Sequence, residues 1–207
     1  MPISRTPLSP YLGLELKGVD LSQPLDEATQ AEILKAWIEA GVLLFRNAAH
    51  SPEDQMRLSR VFGELEPAAT HLMNDPSNPY LMTLKQEPGK VGYNQHYVVD
   101  GIVRAGWLGW HWDQSFMPTI VRGAVLRMTH PAHDMGETGF VDAIGAYDRL
   151  SDEMKRKIEG LEVVYEYNPD FTSGQFGFPQ DIRGLGGESA VAKGDKVYDF
   201  RPRCTPW

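Results

Sequence analysis

Residues 26–47, DEATQAEILKAWIEAGVLLFRN, set an amphipathic helical stretch directly against a continuous apolar run, and this constrains the fold of the 207-residue chain most. In the first part Ile33, Leu34, Trp37 and Ile38 recur at helical spacing, acids occupy the first turn, and Gly41 supplies a stop. The second part, VLLFRN, suits a strand buried on both faces and ended by Asn47. A helix with one apolar stripe beside such a strand needs a sheet to pack on. Short strands recur later in the chain, so the order of elements predicts an α+β or mainly β core with helices laid on it.

Elsewhere the pattern is mixed. Residues 11–22 alternate imperfectly and predict one or two strands. Ser51-Pro52-Glu53-Asp54 is a helix start, with a hydroxyl cap, Pro at the first position and an acid three residues after the cap. Val61-Phe62-Gly63 closes that helix. From Glu66 to Trp110 prolines and glycines punctuate the chain, which predicts a loop-rich region with one strand at Tyr80–Leu84. Strands are expected at 110–116, 123–130 and 138–142, a helical stretch over 143–159 with Ser151 capping its second half and Gly160 ending it, and a strand at 161–167. The segment 168–207 is rich in glycine and poor in apolar residues, so irregular structure is expected there.

Charged residues make up 23% and hydrophobic ones 42% of the chain, an ordinary balance for one folded domain over 1–207. A formal charge of −8 disfavours nucleic acid and anionic membranes as partners. The single cysteine, Cys204, rules out an intrachain disulfide, and MPISRTPLSPYLG lacks the apolar run of a secretion signal. Cytoplasm is the expected compartment and a small molecule the expected partner, with self-association left open.

The chemistry concentrates in GWHWDQSF, residues 109–116. On a strand His111 and Asp113 would face the same way, with Cα atoms about 6.6 Å apart. Imidazole plus carboxylate suits Fe(II), Mn(II) or Zn(II), and a 2-His-1-carboxylate set leaves positions open for substrate and oxygen. Trp112 would point to the opposite face, into core packing.

These residues, with PLSPYLGLELKGVDLSQPL (7–25), AGVLLFRN (40–47), LSRVFGEL (58–65), GAVLRM (123–128) and GETGFVDAIGAYDRLSDEMKRKIEGL (136–161), resemble the TauD/TfdA, or taurine dioxygenase-like, family of Fe(II)- and 2-oxoglutarate-dependent oxygenases. The resemblance implies a double-stranded β-helix, a jelly roll of the clavaminate synthase-like kind with flanking helices, and an oxidoreductase that uses 2-oxoglutarate and O2 as cosubstrates. It assigns His111 and Asp113 as the first two iron ligands and Thr138 as a 2-oxoglutarate contact, although the family's Gly-Gly-Asp-Thr reads Met135-Gly-Glu-Thr138 here.

The family's distal His and the Arg that pairs with 2-oxoglutarate have no clear counterpart. His130 and His133 are expected at the surface, and Arg201 and Arg203 are carboxylate-binding candidates by chemistry only. The expectation is a chain incomplete at its C-terminus, with the last core strands missing; Thr205-Pro206-Trp207 is what a one-base shift through a His-Pro-Val-Val coding stretch would produce. The taurine enzyme's two sulfonate-binding positions fall on Ala68 and Trp107, which disfavours taurine. Trp107, Trp110 and His71 are the substrate candidates, with Asn94 and His96 also within the loop-rich stretch. Two readings from other classes stand beside the dioxygenase: a catalytically inactive fragment or binding module, and a zinc hydrolase built on the same pair.

Overall fold

The computed structural model describes residues 2–67, 74–84, 96–99, 102–105, 110–115, 119–133, 136–163 and 183–184. The chain divides into two units, residues 1–65 with 122–161 and residues 66–121 with 162–207.

In the first unit, β1 (Ser4–Pro7) pairs antiparallel with β2 (Leu14–Lys17), Ser4 opposite Lys17 and Pro7 opposite Leu14. Helix α1 (Glu27–Ala40) then carries the chain back so that β3 (Leu43–Leu44) lies parallel to β2, Leu14 opposite Leu43. Parallel neighbours need such a crossover, and the amphipathic helix supplies it. Asp26 caps α1 by accepting from the Thr29 N–H at 2.7 Å, and Gly41, at φ 70°, ends it by donating to the Trp37 carbonyl at 2.8 Å. The left-handed φ at Gly41 is what a side chain there would resist.

Leu16, Leu21, Ile33, Ala36 and Leu58 form the buried core, flanked by Leu14, Leu25, Leu43, Phe45, Phe62 and Val125. Fully burying one such Leu or Ile stabilises the fold by about 1.5–3 kcal/mol. The buried face of α1 is centred on Ile33 and Ala36, and Trp37 stacks edge-on against Phe62 with ring centroids 4.9 Å apart. Ile38 corrects the predicted stripe: it is 74% exposed. At ~100° per residue it lies about 140° round the helix from Ile33, beyond the buried arc.

Helix α2 (Pro52–Arg60) bears the predicted start in full. Ser51 Oγ accepts from the Asp54 N–H, and Asp54 Oδ2 accepts from the N–H groups of His50 and Ser51 at 2.9 and 3.1 Å. These bonds, the one from His50 first, hold the Asp54 carboxyl below the usual aspartate range against the opposing effect of its burial. Arg57 joins Asp54 at 3.2 Å and also donates to the Leu21 carbonyl, so the helix start is tied to the loop after β2.

Residues 122–133, outside any ladder, lie beside these helices. Gln55 Nε2 donates to the Val125 carbonyl at 2.8 Å, and Arg127 Nε donates to Gln55 Oε1 at 3.2 Å. Gly123 faces the Trp37 ring so closely that a Cβ on it would stand 3.0 Å from Cζ2. The predicted strands at 123–130 and 138–142 make no ladder among the described residues. Sequence alternation defines the faces of an extended segment, whereas a ladder also needs a neighbouring backbone in register. Leu126, Met128, Phe140 and Val141 are all more than half exposed.

The expected helical stretch is present as α3 (Ala143–Asp148), capped by Asp142, and α4 (Asp152–Ile158), capped by Ser151, with Gly160 at φ 73° after it. Of the predicted strand 161–167, residues 161–163 are outside any ladder and the remainder lies outside the described residues.

In the second unit, β4 (Asn74–Asp75) pairs antiparallel with β5 (Asn78–Met82), close to the predicted strand at 80–84. The loop-rich prediction for 66–110 is corrected by a second pairing: β6 (His96–Val99) runs antiparallel to β7 (Ile102–Ala105), Val99 opposite Ile102. Asp100-Gly101, between the two strands in sequence, lies outside the described residues. A third strand, β8 (Arg183–Gly184), joins β6 within the segment predicted to be irregular. Among the described residues the strands form sheets of three, two and three strands, and a closed double-stranded β-helix is not assembled from them. No helix among them is long and apolar enough to cross a membrane.

Candidate metal centre

The pair singled out by spacing is brought together. His111 Nε2 and Asp113 Oδ1 lie 2.9 Å apart in the second unit, with side chains 47% and 62% exposed. The local backbone differs from the strand predicted for 110–116: residue 110 is in a bend and residues 113–115 form a turn, while residue 116 lies outside the described residues. Gln114, at φ 54°, accounts for the turn. A left-handed residue cannot continue a strand, so the chain turns immediately after Asp113. The 2.9 Å contact, and not strand alternation, is what brings the imidazole and the carboxylate together here.

The contact is a hydrogen bond between two groups that both ligate cations when deprotonated. Imidazole nitrogen and carboxylate oxygen bound to one octahedral ion through bonds of about 2.1 Å would stand about 3.0 Å apart as neighbouring ligands. The observed 2.9 Å separation therefore fits a cation in place of the shared proton, with Nε2 and Oδ1 as its donors. Two donors leave most of an octahedron open. Among the described residues, no third His, Cys, Asp or Glu joins the pair.

The tryptophans flanking His111 depart from expectation. Trp112 is 59% exposed instead of packed in a core, and Trp110 is 63% exposed. Once the strand gives way to a bend and a turn, alternation no longer sends Trp112 into an opposite, buried face. Trp107, His71, Asn94 and Ala68 lie outside the described residues, as do Arg201 and Arg203. His96 starts β6, whose backbone alone is described.

Thr138 belongs to the first unit, in an exposed segment that follows Gly136, at φ 85°, and precedes α3. The strand predicted for 138–142, which would begin at Thr138, makes no ladder among the described residues. His130 and His133 are exposed, as expected, with His130 Nδ1 3.0 Å from Thr129 Oγ1. The position that sequence reading missed is Gln114. Asn, Asp and Gly are the residues that signal a left-handed backbone, and Gln carries no such signal.

The model of the family described as taurine catabolism dioxygenase TauD, TfdA family, matches residues 4–201. An (S)-phenoxypropionate/α-ketoglutarate dioxygenase of Sphingobium herbicidovorans is 29% identical over 156 residues, which cover 75% of this chain and 50% of that protein. The α-ketoglutarate-dependent 2,4-dichlorophenoxyacetate dioxygenase of Cupriavidus pinatubonensis is also 29% identical, over 189 residues covering 88% of this chain and 65% of that protein. The crystal structure of a taurine dioxygenase from Burkholderia xenovorans superposes with a TM-score of 0.55 at 24% identity, over 81% of this chain and 54% of that one, a likeness of fold. The chain thus spans about half the length of the first of these relatives. With the family model covering nearly all of the sequence, and with the motifs around His111 and Thr138 inside the matched range, this chain belongs to the TauD/TfdA family of dioxygenases.

Proposed function

We propose that the chain serves an Fe(II)- and 2-oxoglutarate-dependent dioxygenase that hydroxylates a small organic acid with an apolar or aromatic body, taurine not being preferred. The observation that carries this reading is the 2.9 Å approach of His111 Nε2 to Asp113 Oδ1, a neighbouring-ligand spacing in a chain whose relatives are α-ketoglutarate-dependent dioxygenases. His111 and Asp113 would hold the metal. Bound Fe(II), with 2-oxoglutarate and O2, supplies the oxidation that puts a hydroxyl on a substrate carbon while 2-oxoglutarate is decarboxylated. Thr138 would contact 2-oxoglutarate. The fold proposed for the complete domain is the double-stranded β-helix, supported by the likeness to taurine dioxygenase.

What these residues contribute is placement. With an ion bound, His111 and Asp113 would hold it to the protein, and the encounter of cosubstrate and substrate beside it would become an intramolecular one. The preference against taurine rests on Ala68 and Trp107 standing where the taurine enzyme carries sulfonate-binding groups. The aromatic preference is supported by Trp110, exposed one residue from His111, and by the phenoxy acids named for two relatives.

Anaerobic titration with Fe(II) and 2-oxoglutarate tests the proposal. A visible metal-to-ligand charge-transfer band is expected, abolished by His111→Ala and by Asp113→Ala. A second reading, a binding module without turnover, is favoured by the lack of a third donor beside the pair among the described residues. Absence of the band at millimolar 2-oxoglutarate would select it.

A further inference from the structure

We infer that Gln114 is a positioning residue for the metal pair: its left-handed backbone takes the chain off the His111–Asp113 face, leaving the far side of the Asp113 carboxylate open to exogenous ligands. The inference rests on the proposed metal-binding reading and adds a residue to it.

Two described non-glycine residues adopt a positive φ, Asn47 at 53° and Gln114 at 54°. Asn47 is readily understood. A short amide side chain hydrogen-bonds its local backbone and tolerates the left-handed region, and Asn47 stands where the apolar run of β3 must end. Gln114 has a longer side chain without that tendency, so a positive φ there is uncommon. Such positions cluster where a site needs a geometry that ordinary backbone does not provide.

The geometry needed here follows from alternation. If the chain stayed extended through residue 114, Ser115 would fall on the same face as His111 and Asp113, two residues beyond the carboxylate. The turn over 113–115 prevents that. Within the described stretch an exposed carboxylate and an exposed imidazole lie 2.9 Å apart at the start of that turn. The half-buried Gln114 is the pivot of that turn.

The test uses Mn(II) alone as a paramagnetic probe, its binding followed by loss of the free-ion electron spin resonance signal. Gln114→Gly and Gln114→Asn both accept a left-handed backbone and should bind within about threefold of the parent chain, whereas Gln114→Val, β-branched and averse to that region, should bind about tenfold more weakly. Gln114→Ala, which resists the region less, should fall between them and stands in if the Val variant does not fold. The three-bond coupling between HN and Hα at residue 114 reports whether each variant keeps the turn. Equal affinity across Gly, Ala and Val variants would overturn the inference while leaving the metal site intact. Failure of the parent chain to take up Mn(II), or full uptake by His111→Ala, would remove the metal reading and this inference together.

Discussion

Residues 2–65 and residues 122–161 belong to one unit, yet among the described residues the first stretch contributes all five buried apolar side chains of its core and the second contributes none. Both are well supplied with local order. Asp26 and Ser51 cap the helices of the first stretch, and Asp142 and Ser151 cap those of the second in the same way. What separates them is burial: α1 and α2 turn Ile33, Ala36 and Leu58 inward, while Leu126, Met128, Phe140, Val141 and Ile144 face outward. Capping decides where a helix starts, and the removal of apolar area from water decides how firmly it is held.

The contrast can be broken most strongly at Ile33. Ile33→Ala should lower unfolding stability by about 2–5 kcal/mol, read from the urea midpoint, because the side chain is fully enclosed. A smaller effect comes from the cap of α2: Ser51→Ala should lower stability by about 1 kcal/mol. The equivalent Ser151→Ala, on a helix with no buried residue, should cost a few tenths and leave the main urea transition in place.

Acid sharpens the same point. Asp54 has a carboxyl pKa depressed in the folded state, so the unfolded state binds more protons as pH drops through the aspartate range. Its contribution to stability is present above that range and is lost as pH falls towards the depressed folded value. Asp54→Asn should flatten the acidic limb of a plot of unfolding midpoint against pH. The smallest effect is expected at Leu126, 66% exposed, where Leu126→Ala should change stability by less than about 0.5 kcal/mol. A larger loss would show that another part of the protein covers that face.

Legibility in the sequence followed the range of the interaction. The Ser51–Asp54 capping box, the Ser151 cap and the stop at Gly41 are settled within four residues, and each was readable as such. The β6–β7 hairpin was equally local, with Asp100-Gly101 between two β-branched runs, but the surrounding prolines and glycines concealed it. Strands at 123–130 and 138–142 were read from alternation, which fixes faces and says nothing of a partner backbone. At the candidate site, two-residue spacing singled out His111 and Asp113, which lie 2.9 Å apart, although the strand expected there gives way to a bend and a turn. That turn is not legible in the sequence, since Gln114 gives no compositional sign of a positive φ.

Gly123 sets a tolerance on how closely two parts of the first unit can approach. Trp37 meets Phe62 edge-on and Gly123 at Cζ2, so a methyl group at position 123 would press on its ring. Enlarging that one residue would act as a shim: it would lift the backbone that carries the Val125 carbonyl and the Arg127 guanidinium away from Gln55, loosening both attachments through a single added carbon.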